Sequence, residues 1–328
     1  TMTPRQRVHA ALDHQEPDRV PTALWGGPYG LVDELYLALL PVLGLDDPVA
    51  PFRKGHNVSY IDDRVLDLLG TDTRYVWPGA SPSSPEPDVS DPAILRDGYG
   101  QPWVQAFPYY YPDRGILREA TIDDVERLVM WPDPADPRWT AGVGERARHL
   151  NEETDFFVVG RMVTSHGVFQ TAGDLRGMEN FLLDLARGES MAGLLIERVT
   201  DTIDGLLRGY LEAGGAYFDM IELPGDDYAG TDNLLMSPAM FREHFKPSLQ
   251  RLVETVKSFR PDLKVMFHSD GVIQHLIPDL IEIGIDVIHP VEPLPAMDLP
   301  SIKADYGDRI ASVSYTHLRA HETNDLIS

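Results

Sequence analysis

The sequence predicts an α/β fold in which parallel strands and helices alternate around a TIM (β/α)8 barrel, and three observations carry that expectation. From Phe156 onward, short apolar runs alternate with helical patterns through connections of a few residues, as βα units do. Two of those runs, Ala216–Leu223 and Val265–Gly271, finish on ligand-type side chains, and sites in such barrels gather where strands end. A chain of 328 residues is also long enough to bury a core of this size.

In chain order, Thr3 reads as the N-cap of a helix over residues 3–14, with Pro4 in its first turn. Pro17-Asp18-Arg19 turns into Val20–Trp25, the expected first strand of the barrel. A helical pattern spans Tyr60–Leu69, and Thr73–Trp77 reads as the next strand. Residues 79–111 are rich in Pro, Gly, Ser and Tyr, which suggests an elaborated loop or small hairpin over the site. Thr121 and Asp124 have capping-box spacing for a short helix that Pro132 ends. The regular part follows: strand Phe156–Met162, helices Met178–Leu185 and Met191–Leu211, strand 216–223, helix Pro238–Phe259 and strand 263–268. Helix Ile273–Ile283, strand Asp286–Val291, helix Met297–Tyr306 and strand Arg309–Ala311 complete it.

That makes about seven strands, one fewer than a closed barrel requires. From about Val313 no strand-then-helix pattern continues. The expectation is therefore a barrel domain over residues 1–311, truncated before its last strand, and a tail over 312–328 foreign to the fold.

Formal net charge is −24, from 52 acidic against 28 basic residues, with no Lys/Arg block, so nucleic-acid binding is not expected. No apolar run approaches the roughly 20 residues of a bilayer-crossing helix, and no secretory signal opens the chain, so a cytoplasmic location without membrane contact is expected. The chain has no Cys, so any metal must be held by His, Asp and Glu. Phosphate-loop, dinucleotide and Gly-x-Ser-x-Gly motifs are absent as well.

On a strand, residues i and i+2 share a side, so His268 and Asp270 can converge on one ion or one substrate atom. The bland alternative is a hydrogen-bonded pair at a strand end. Glu222, Asp226 and Asp227 close the preceding strand; Glu222 suits a metal ligand or an acceptor behind one, while Asp in a Gly-flanked loop is common for turn reasons alone. His289 and Glu292 end the next strand, either as catalytic groups or as a rim hydrogen-bond network. His166 follows the strand at 156–162 and is a candidate pocket residue. Tyr110, with Tyr109 and Tyr111, can wall a substrate pocket or pack under a loop. His317 and His321 have metal spacing but lie in the suspect tail.

Thr3-Pro4-Arg5-Gln6-Arg7-Val8, Glu16-Pro17-Asp18-Arg19-Val20-Pro21, Gly225-Asp226-Asp227, Ser237-Pro238-Ala239-Met240-Phe241 and Ile277–Asp286, in this order, resemble the uroporphyrinogen decarboxylase superfamily over about residues 3–310. That superfamily holds haem-pathway decarboxylases and zinc-dependent corrinoid methyltransferases. The decarboxylases carry an Arg-Gln-Ala-Gly-Arg loop after the first strand, where this chain reads Trp25-Gly26-Gly27-Pro28-Tyr29-Gly30. A chain this acidic without that clamp should bind a polycarboxylate poorly.

The coenzyme M members of the methyltransferase branch use His-x-Cys and a late Cys on zinc; His268 matches the His, Asp270 replaces the first Cys, and the late position falls in the segment expected to be missing. The resemblance thus implies Zn2+ held by His268 and Asp270 with help from Glu222 or Asp226. Asp227, His289 and Glu292 are the expected catalytic groups, and Trp25, His166 and Tyr110 the expected substrate contacts. It implies methyl transfer between a small O- or N-methyl compound and a corrinoid carried by a separate protein. Some members are dimers, which implies a homodimer here. The competing expectations are a metal-free decarboxylase and a non-catalytic binding protein with a decayed site.

Overall fold

The computed structural model describes residues 1–24, 31–45, 51–53, 58–82, 84, 86, 87, 94–106 and 109–313. Its central sheet has six strands: β1 (Thr73–Val76), β2 (Phe157–Gly160), β3 (Met220–Glu222), β4 (Lys264–His268), β5 (Val287–His289) and β6 (Ala311–Ser312). Each strand pairs in parallel with the next in sequence, and among the described residues the sheet does not close.

The pleat divides the strand side chains between two cores. Val76, Val158, Ile221, Val265, Phe267 and Ile288 pack against the helices outside. Tyr75, Phe157, Val159, Met220, Met266 and Val287 face inward with Val8, Tyr36, Leu40 and Val65. A sheet buried on both faces needs near-continuous apolar strands, which is what made these runs readable.

The helices used below are α1 (Pro4–Leu12), α2 (Val143–Glu153), α3 (Val168–Arg176), α4 (Met178–Arg187), α5 (Ser190–Gly214), α6 (Lys246–Phe259), α7 (Ile277–Glu282) and α8 (Leu299–Tyr306). Thr3 and Gln6 form the capping box that starts α1. The longest helix, α5, packs against α2, α3, α4 and α6. It runs to Gly214, where an added Cβ would meet Phe218 Cζ at 2.9 Å, and Gly215–Tyr217 then make a 3₁₀ turn. The strand expected from Ala216 consequently begins only at Met220. The single helix expected over Pro238–Phe259 contains a wide π turn at Phe241–Phe245, just before Pro247, which has no N–H to give to the preceding turn.

Three further expectations change. Val20–Leu24 forms no strand, although Asp72 N donates to Thr22 O at 2.7 Å, so this segment lies along the start of β1. Residues 79–111 contain more than a hairpin: Glu86–Pro87, Leu95–Arg96, Pro102–Ala106 and Tyr109–Pro112 make a four-stranded antiparallel sheet. The boundary expected at 311/312 falls inside β6, and Val313 N still donates to Ile288 O at 2.9 Å. Residues 314–328 of the expected tail, including His317 and His321, lie outside the described residues. No helix among the described residues is long and apolar enough to cross a membrane.

Candidate metal centre

The inward side of the pleat carries the polar groups. One step beyond the Gly160–Ile221 pair, Arg161 lies beside Glu222, and β4 and β5 pair His268 with His289. Below them the same face is Val159, Met220, Met266 and Val287, so the site is the upper end of an apolar interior.

His268 Nδ1 lies 2.8 Å from His289 Nδ1. Such a contact needs one nitrogen with a proton and one with a lone pair, so the two rings cannot both be imidazolium. Burial pushes His268 well below the ordinary histidine range, helped by the charges of His289 and Arg161. It pushes His289 down to about 3, helped by Arg161. Both rings are therefore neutral near pH 7. When His268 donates from Nδ1, its Nε2 keeps a lone pair that faces Asp227 Oδ1 and Asp270 Oδ2, each 3.7 Å away.

Backbone bonds between neighbouring loops and strand ends hold the rim together. Gly167 N donates to Gly225 O at 2.7 Å, Asp226 N to His268 O at 3.1 Å, and Ser269 N to His289 O at 2.9 Å. Gly225 allows this close approach, since a Cβ there would stand 2.9 Å from both Cβ and Cδ2 of His268. After Asp270 the chain turns through Gly271 at φ +83°, a conformation suited to glycine, and Gly271 N donates to Glu292 Oε2 at 2.5 Å. Asp270 N donates to Asp227 Oδ1 at 2.8 Å, which brings the two carboxylates together. Burial, then the charges of Asp227 and Glu292, push the Asp270 carboxyl up to about 7.

The structure brings together a group of candidate donors that differs from the expected ligand set. Asp227, His268 and Asp270 offer ligand atoms that all lie within 4.8 Å of one another, so Asp227, expected to be catalytic, joins the donors. Glu222 and Asp226 are not in that group. Glu222 is fully buried against Arg161, and a buried guanidinium of this kind requires a paired carboxylate. Asp226 caps α3, accepting from Phe169 N at 3.0 Å and Gln170 N at 2.8 Å, while the Tyr228 hydroxyl donates to it at 3.1 Å. Burial pushes its carboxyl up to about 7 against these three donors. His289 serves His268 through the ring contact, and Glu292 serves the turn at Gly271.

His166 points instead to the antiparallel sheet. Its Nδ1 is 2.8 Å from Asp174 Oδ2, and its ring stacks on Trp103 with centroids 6.3 Å apart. Tyr110 is half-buried in that sheet, opposite Gln105. Trp25 lies outside the described residues. Sequence reasoning missed Arg161 and Gln170. Arg161 had a signal, a charge at an inward position of an apolar run; its guanidinium lies 4.8 Å from the centre of the Trp77 ring.

The donors fit a divalent ion. Zinc bonds of about 2.0–2.2 Å in tetrahedral geometry place donor atoms about 3.3–3.6 Å apart, slightly closer than the 3.7 Å observed from Nε2 to each carboxylate. Asp270 Oδ1 is buried with no hydrogen-bond partner among the described residues, as an atom reserved for another ligand would be. With no thiolate in the set, an ion held here would keep more of its positive charge than in a sulfur site.

Comparison with known proteins places this geometry in context. The family model described as uroporphyrinogen decarboxylase (URO-D) matches residues 116–309, which include β2 to β5 and all three donors. A solved structure described as "methyltransferase from Methanosarcina mazei" superposes with a TM-score of 0.53, covering 96% of this chain and 92% of that one at 18% sequence identity. At that identity the likeness concerns the fold. No curated protein matches.

Proposed function

This chain belongs to the uroporphyrinogen decarboxylase family, and on that premise we propose that it is a zinc-dependent methyltransferase acting between a small O- or N-methyl compound and a corrinoid protein. The observation that carries this reading is the meeting of Asp227, His268 and Asp270 where β4 and the loops after β3 and β4 come together. A divalent ion bound there supplies Lewis acidity toward the heteroatom that parts from the methyl group.

The chain's own residues have separable tasks. Asp227, His268 and Asp270 hold the ion, and His289 keeps the His268 ring oriented with its Nε2 outward. Arg161 and Glu222 neutralise one another below, which leaves the Asp227 and Asp270 carboxyls as the acidic groups facing the His268 ring. The corrinoid would be presented by its own protein, which docks over the strand ends.

The test is metal content and chelation. Purified protein should bind close to one zinc per chain, lose methyl transfer on treatment with chelator and regain it with zinc. Protein that binds no zinc and is indifferent to chelation would sink the methyltransferase reading.

A further inference from the structure

Resting on this metal-binding reading, we infer that Gln170 is the positioning residue of the centre, the side chain that aims the Asp227 carboxylate at the ion.

Helix α3 starts at Gly167 without a side-chain cap from its own neighbours, and Asp226 supplies the cap from the next rim loop. That bolts the first turn of α3 to the residue preceding Asp227. The Gln170 side chain then reaches back to Asp227 itself: its Nε2 donates to Asp227 Oδ2 at 3.3 Å, and its Oε1 accepts from Asp227 N at 3.4 Å. Each bond is long and weak alone. Together they use both polar ends of the amide on one residue, and among the described residues this side chain makes no other hydrogen bond.

The result is a carboxylate fixed at both oxygens. Oδ2 is held by Gln170 and Oδ1 by Asp270 N at 2.8 Å, which sets the carboxylate plane and leaves Oδ1 facing His268 Nε2 at 3.7 Å. The Asp227 side chain is 34% exposed, so packing does not hold it in place. Without the Gln170 amide the carboxylate keeps the single bond from Asp270 N and can swing about it toward solvent, and the ion loses a pre-aimed donor.

The experiment compares the parent chain with Gln170→Ala and Gln170→Met; the second keeps length and stem while removing both polar ends. The Gln170 backbone amide still caps against Asp226 in either variant, so both should fold. Zinc affinity is measured by competition with a chromophoric chelator, and the melting temperature is measured on metal-free protein. We expect affinity to fall about tenfold to a hundredfold in both variants, with the metal-free melting temperature unchanged. Cobalt-substituted variants should also show an altered visible spectrum as Asp227 leaves the coordination sphere. Zinc affinity within twofold of the parent, or a lower melting temperature with affinity intact, overturns the role of Gln170 while leaving the metal site standing. A parent chain that binds no zinc overturns both.

Discussion

A Cβ at Gly225 would stand 2.9 Å from two carbons of His268 and 3.0 Å from its carbonyl oxygen, and that oxygen is bound to Asp226 N. Gly225→Ala should therefore push His268 out of line, costing about 1–3 kcal/mol of stability and weakening zinc binding; denaturant melts and chelator competition measure the two effects. His268→Ala removes a donor outright and should lower zinc affinity more than a hundredfold, about 3 kcal/mol or more, as equilibrium dialysis would record. His268 and Asp270 are legible in the sequence because the pleat makes i and i+2 neighbours, a purely local rule. The third donor is less so. Glu222, Asp226 and Asp227 all carry carboxylates and are almost adjacent, and what separates them is non-local: Arg161 takes the first, α3 takes the second, and Asp227 is left to face His268.

Helix α3 shows the same limit one level up. Its sequence, Val168–Arg176, contains two β-branched residues and an internal glycine and has no local capping residue, so it reads poorly as a helix. The missing cap comes from Asp226, more than fifty residues away in the chain. Asp226→Ala should remove the cap and the Tyr228 bond together, costing about 2–3 kcal/mol in urea denaturation. The antiparallel sheet offers a second test. Asp97 accepts from Trp103 Nε1, Tyr99 N and Gln101 N, yet burial pushes its carboxyl up to about 7 from 3.8. The folded chain then holds this proton more tightly than the unfolded chain does, so Asp97 contributes a loss of stability as pH rises from about 4 to about 7. Asp97→Asn has no proton to lose and should show a shallower decline over that window when the two proteins are melted side by side.

Across the whole molecule, alternating βα units are legible because strands buried on both faces are apolar throughout, and the parallel order of β1 to β6 follows from that pattern. The first expected strand is not. Around Thr22 the chain is held to the sheet edge by charge: Asp72, with its side chain 1% exposed, accepts from Arg7 at 2.6 Å, from Arg19 at 2.7 and 2.8 Å and from Thr22 N at 2.8 Å. Asp72→Ala leaves the Arg7 guanidinium with Asp18 as its remaining carboxylate partner and takes the acceptor from Thr22 N, and should destabilise the protein by about 1–3 kcal/mol in guanidinium melts. The rim has a different kind of bond. Gly167, Asp226 and Ser269 each lend an amide to the adjoining βα unit, at Gly225, His268 and His289 in turn, so successive units are laced in series by backbone bonds. A rim laced this way opens as one cooperative unit or stays shut. In deuterated solvent those three amide protons should show one common protection factor, each rate taken against its own intrinsic exchange rate, and three unrelated protection factors would mean that the donors ride on separately moving segments.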